Sequence, residues 1–424
     1  MSIVRVHGRR VFDSRGRPTV EADVVLAGGA IGRAIAPAGA SRGAREAVDL
    51  RDGGARFGGY DVTRAVDNVN GPIAAVLKGV DALDQSRTDR LMIDLDGTPA
   101  KSKLGANAIV AVSLAIAHAA ARAQDMPLWQ YAANGAPVTL PLPEIQIFGG
   151  GAHAGRRIDI QDLMVLPIGA QTFSEALAMV AEIYRAAGAL MQESGKSAGV
   201  ADEGGYWPLF ESNEAALTML VRAVERAHFH PGVDAALSLD IAANQLSRGG
   251  RYRLARDRRD VDSDGMSEIL IDWLDRFPIA SIEDPFAEDD FTAWKRFTAA
   301  AGPRAQIVGD DLLTTRAIRV AEAAEDRLCN AALIKPNQAG TVSEARDALD
   351  AAKRASFATI VSARSGESED VSIAHLAVGW NAGQIKVGSF ARSERVAKWN
   401  ELIRIEEELG SAARYAGAEA LHVR

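Results

Sequence analysis

The spacing of apolar residues changes character twice along the chain. Residues 1–36 alternate polar and apolar positions, and 20–26 and 30–36 read as strands around Gly28-Gly29. Residues 61–77, 86–95 and 107–123 then place apolar side chains three and four apart, which predicts helices. Strands followed by helices, without alternation, predict a small N-terminal α+β domain over residues 1–130. Leu140-Pro-Leu-Pro143 predicts an extended linker, because a proline disfavours helix in the residue before it. Over residues 138–424 strand-like and helix-like runs alternate, beginning with helix 173–194, strand 235–240, helix 267–277 and strand 279–283. Strand and helix pairs follow at 306–310 and 317–324, at 331–335 and 342–355, and at 358–362 and 372–380. That order predicts an α/β barrel of (β/α)8 type.

Five apolar runs end abruptly in charge, at Asp240, Glu283, Asp310, Lys335 and Lys386. A charge closing a buried strand is costly unless a metal, a substrate or a partner meets it. In an α/β barrel these strand ends gather at the face where chemistry occurs. Three carboxylates offer hard oxygen ligands suited to Mg²⁺. The lysines stand out because only nine of the 48 basic residues are lysine, the rest being arginine. Arginine stays protonated, whereas burial and neighbouring charge can tune a lysine into a base, so Lys335 reads as a proton acceptor.

Composition narrows the class. The 424 residues are 47% hydrophobic and 25% charged, an ordinary balance for a soluble globular protein. A net charge of −8 argues against a nucleic-acid partner. The single cysteine, Cys329, excludes an internal disulfide framework and reads as a small buried hydrophobe in a reducing cytoplasm. The first residues lack the apolar run of a signal peptide, and the most apolar helical stretch, 106–121, reads as a buried helix rather than a membrane span. The expectation is a cytoplasmic protein that meets neither membrane nor nucleic acid.

Longer motifs then carry a resemblance. Ser281-Ile-Glu-Asp-Pro-Phe-Ala-Glu-Asp-Asp290, Lys335-Pro-Asn-Gln-Ala-Gly-Thr341, Arg364-Ser-Gly-Glu367, Gly383-Gln-Ile-Lys386 and Ala391-Arg-Ser-Glu-Arg395 closely resemble the enolase family. So do Asp13-Ser-Arg-Gly-Arg-Pro-Thr-Val20, Lys101-Ser-Lys-Leu-Gly-Ala-Asn-Ala108 and Arg404-Ile-Glu-Glu-Glu-Leu-Gly410. The likeness runs the whole length in one register. It implies a modified TIM barrel with an N-terminal α+β capping domain, a homodimer or higher homo-oligomer, and Mg²⁺-dependent dehydration of 2-phosphoglycerate to phosphoenolpyruvate. Two Mg²⁺ per site are implied, the second arriving with substrate. The resemblance assigns Asp240, Glu283 and Asp310 to the first ion and makes Lys335 the base. Lys386 would neutralise the substrate carboxylate, and Glu203 would help the hydroxyl leave. Arg364 and Ser365 would hold the phosphate, with Ser41 joining phosphate and second metal. His153 lies in a loop that the family uses at its site. The same cations would lower the pKa of Lys335.

Several of these positions depart from the family pattern. Ala363 stands where the family has histidine before Arg364-Ser365, and Gly149 stands where it has asparagine. Gln161-Asp162 replaces a Gln-Glu pair, and Arg42 replaces a threonine. The metal set and the base are intact, while the phosphate end and the leaving-group end are altered together. This favours enolase-type chemistry on a changed substrate, a small phosphorylated or phosphonylated carboxylic acid. A specialised enzyme resembling the carboxyphosphonoenolpyruvate synthases of phosphinate-antibiotic biosynthesis fits that description. An ordinary glycolytic enolase and a non-catalytic binding protein remain the alternatives.

Overall fold

The first strands form an antiparallel sheet in the order Ile3–Phe12, Pro18–Leu26, Ile31–Ile35. The computed structural model describes residues 1–40 and 43–421, apart from the side chain of His153. The middle strand is buried almost throughout, because helix Ala106–Ala123 packs on it and on its neighbour. That helix is long and apolar enough to cross a membrane, yet 83% of it is buried inside this protein. The predicted helix 61–77 is broken into Thr63–Asn68, a wider turn at Val69–Ile73 and Ala74–Leu77. Pro72 sits in that turn and has no N–H to continue the ladder.

Eight strands close the barrel, in the order Leu142–Gly149, Asp162–Leu166, Ala236–Asp240, Ile279–Glu283, Gln306–Gly309, Ala331–Ile334, Ala358–Ser362 and Gly383–Gly388. The last pairs with the first. Two expectations are corrected. The proline segment is no linker: Leu142 and Pro143 begin the first barrel strand, which is buried along its whole length. Strict alternation also fails, since Asp162–Leu166 runs antiparallel to both neighbours. A short connection can join antiparallel strands, whereas a parallel pair needs a helical crossover. Two helices, Phe173–Glu193 and Asn213–Arg226, then lead to the third strand.

The capping domain docks against the barrel mouth. Ala38 and Gly366 exchange backbone hydrogen bonds at 2.9 Å, and Ala47 N donates to Gln338 O. Buried Asp89 accepts from Ser343 N and Oγ, and Lys101 reaches Glu344 at 2.8 Å. These contacts place residues 38–40 and 43–47 over the ends of the strands that lead to Lys335 and Arg364. Cys329 is buried, as its sequence context suggested.

Candidate active site

Asp240 and Glu283 are the last residues of adjacent strands, Asp310 and Lys335 each lie one residue past a strand, and Lys386 sits within the eighth. Parallel register aligns Asp240 with Glu283 across one ladder and Ser362 with Lys386 across another. All five side chains are buried. Lys386 Nζ donates to Asp240 Oδ2 at 2.9 Å and Glu283 Oε2 at 2.6 Å, with Asp162 Oδ2 at 3.4 Å. Lys335 Nζ donates to Asp310 Oδ2, while Gln338 Nε2 donates to Asp310 Oδ1 at 2.8 Å.

The electrostatics of this group are unbalanced. Burial pushes Glu283 well above the usual carboxylate range, and the neighbouring Asp240 adds to it. Asp240 is also raised by burial, although Lys386 opposes the shift. Burial acts against the charge of Lys386, but Asp240, Glu283 and Asp162 outweigh it and hold the ammonium charged. One ammonium thus faces three carboxylates. A buried surplus of negative oxygen is what a divalent cation relieves, so Asp240, Glu283 and Asp310 fit a hard metal ion. Lys386 meanwhile lies between two of those acids, where a cation is favoured.

Two findings modify the expected metal site. Among the described residues, carboxylate oxygens lie within 4.8 Å of one another at Asp284, Asp310 and Asp311, not at the expected trio. Asp284 accepts Asp310 N at 3.0 Å and Asp311 N at 2.9 Å, so it braces the turn that presents Asp310. Lys335, for its part, is not a neutral amine here. Burial lowers its pKa, but Asp310 and, less strongly, Glu283 together outweigh that effect, and the net direction is upward.

At the phosphate end, Arg364 reaches Glu46 at 2.9 and 3.2 Å and Asn337 at 3.1 Å. Burial works against its charge, and Glu46, with Asp310 and Asp311, more than compensates. Ser365 Oγ accepts from Ala40 N at 2.6 Å and Arg15 at 3.3 Å, which ties it to the capping domain. Ala363 lines the same small cavity as Arg364, Ser365, Lys335 and Lys386. At the opposite end, Glu203 lines that cavity and its loop is fixed by Ser389 N donating to Glu203 O at 2.9 Å. Gly204 follows with φ +93°, and a Cβ there would lie 2.3 Å from Ala391 O. Gln161 donates to Asp240 Oδ2 at 2.8 Å, and Asp162 accepts from Gln146. Gly149 has a packing reason: a Cβ would come within 2.5 Å of Ala201 Cβ. Ser41, Arg42 and the His153 side chain lie outside the described part of the protein.

Sequence reading missed Gln338, Glu46, Asp284 and Glu144. Gln338 was legible in the Lys335-Pro-Asn-Gln motif, but Glu46 becomes part of the site only through domain docking. Glu144 faces the barrel interior on the first strand, paired in register with Lys386. Its Oε2 accepts from Ser238 Oγ at 3.0 Å, while its buried Oε1 has no partner. Burial lifts its pKa from 4.5 to about 7. Between those values the folded chain binds more protons than the unfolded one, so this group's contribution to stability is lost as pH rises from 4.5 to about 7. Glu144→Gln, neutral at every pH, should therefore gain stability over wild type between pH 5 and pH 8, by up to about 3 kcal/mol. Melting curves of both proteins in chelator at the two pH values check this, and an equal difference at both would refute it.

Family comparison agrees with the geometry. The family model "Enolase, C-terminal TIM barrel domain" matches residues 137–423, and "Enolase, N-terminal domain" matches residues 3–132.

Proposed function

Because the chain belongs to the enolase family, we propose that it dehydrates a 2-phosphoglycerate-like acid whose phosphorus carries an additional carboxylate, yielding a phosphoenolpyruvate-like product in the cytoplasm. The observation carrying the substrate assignment is Ala363, whose methyl lines the cavity beside Arg364 and Ser365. A larger imidazole at that point would occupy the space beside the phosphorus and donate to it.

Lys335 takes the proton next to the substrate carboxylate. Lys386 moves from its acids to that carboxylate and stabilises negative charge as it develops. Glu203, on the loop fixed by Gly204, delivers a proton to the departing hydroxyl, which is otherwise a poor leaving group. Arg364 and Ser365 orient the phosphorus group, so that substrate competes with Glu46 for the guanidinium. Asp240, Glu283 and Asp310 would hold Mg²⁺, which supplies charge to the dianionic ene-diolate and offsets the Asp310 field that keeps Lys335 protonated.

The test is turnover of 2-phosphoglycerate, read as phosphoenolpyruvate absorbance beside an ordinary enolase. We expect a rate at least roughly tenfold lower, about 1.4 kcal/mol of lost transition-state stabilisation. Ala363→His should recover part of that rate and lose activity on the carboxylated substrate. Full glycolytic activity in wild type would instead establish an ordinary enolase, the reading favoured by the unaltered set of Asp240, Glu283, Asp310, Lys335 and Lys386.

A further inference from the structure

The connection between the first two barrel strands borders a second cavity, which the proposed dehydration does not use. This cavity, of about 200 Å³, lies between that connection and the segment 245–255, and is lined by Arg156, Arg248 and Arg253 together with Asp159 and Gln245. Among the described residues none of the three guanidinium groups makes a hydrogen bond or ion pair. The contrast within the neighbouring hairpin is clear, since Arg251 is paired with Asp260 at 2.6 Å. The lining acid is already engaged: Asp159 accepts from Asn213 Nδ2 at 2.8 Å, Ala255 N at 3.0 Å and Arg256 N at 2.9 Å. Three arginines without a hydrogen-bond or ion-pair partner therefore share one concave space with a single carboxylate, in a protein whose net charge is −8. Guanidinium forks match phosphate oxygens in pairs, and a liquid water occupies about 30 Å³, so the space suits a small phosphorylated molecule.

The cavity is also wired to the catalytic acids. Gln245 Oε1 accepts Ala152 N at 3.1 Å, and Gln245 Nε2 donates to Gln161 Oε1 at 2.5 Å. Gln161 in turn donates to Asp240 Oδ2 at 2.8 Å. We propose that Arg156, Arg248 and Arg253 form a second anion site for a phosphate group, free or carried on a small acid, and that its occupation steadies residues 151–161 and, through Gln245 and Gln161, the position of Asp240.

Hydrogen–deuterium exchange on the full chain, with inorganic phosphate and separately with phosphoenolpyruvate as probes, tests this. Both segments, 151–161 and 245–255, should gain protection with phosphate, and Arg248→Ser/Arg253→Ser should need about tenfold more phosphate or higher for the same effect. These exposed substitutions should leave the melting temperature and basal turnover unchanged. Saturation at lower phosphoenolpyruvate than phosphate identifies a phosphorylated acid as the ligand; the reverse order identifies the free anion. Unchanged protection in the double variant, or protection confined to the segments around Lys335 and Arg364, would overturn the proposal.

Discussion

Lys335→Ala should stop exchange of the substrate's C2 proton with solvent deuterium, with a loss of about 10²–10⁴-fold for removal of a positioned base. The proposed mechanism gives this step to Lys335, because the other buried lysine, Lys386, is held by Asp240 and Glu283 at 2.9 and 2.6 Å. Glu203→Gln should behave differently. In the proposed mechanism its side chain acts on the leaving hydroxyl after the carbanion forms, so exchange should continue while product formation falls by a similar factor. Proton NMR of substrate in deuterated buffer separates the two steps. Exchange that survives in Lys335→Ala and disappears in Glu203→Gln would reverse the roles assigned here.

Removal of one proposed metal ligand should have the second large effect. Mg²⁺ should raise the melting temperature of wild type, because a ligand that binds only the folded chain stabilises it. Glu283→Gln should weaken Mg²⁺ binding by about 100-fold or more, since even outer-shell partners of a metal site cost 10–100-fold. Calorimetric titration of both proteins gives the constants directly. Asp311→Asn provides the discriminating control, because Asp311 belongs to the closely spaced group with Asp284 and Asp310. In our reading it retains most of the affinity. Loss of binding in Asp311→Asn with retention in Glu283→Gln would move the ion to that second group.

The sequence alone determined which ionisable residues end up at the barrel mouth. Asp240, Glu283, Asp310, Lys335 and Lys386 are legible because each interrupts an apolar run, and such a run must be buried whatever its neighbours are. Two helix starts, at 173 and 342, were read correctly from spacing, and there Thr172 and Thr341 accept a backbone N–H of the turn that they cap; the helix expected from 267 begins instead at Ser263, capped by Asp262. Tertiary structure decided what local pattern cannot encode. The direction of Asp162–Leu166 depends on the length of its connection and on both neighbours, so its apolar run looks the same in either orientation. Leu142 and Pro143 looked like linker because strand character there comes from closure against Gly383–Gly388. Charge state was decided in the same way. Lys335 is held protonated by Asp310, 25 positions away in sequence, and Arg364 is held charged by Glu46 from the other domain. Electrostatic energy depends on distance in space and on burial, and both are fixed only when the strands have closed and the capping domain has docked.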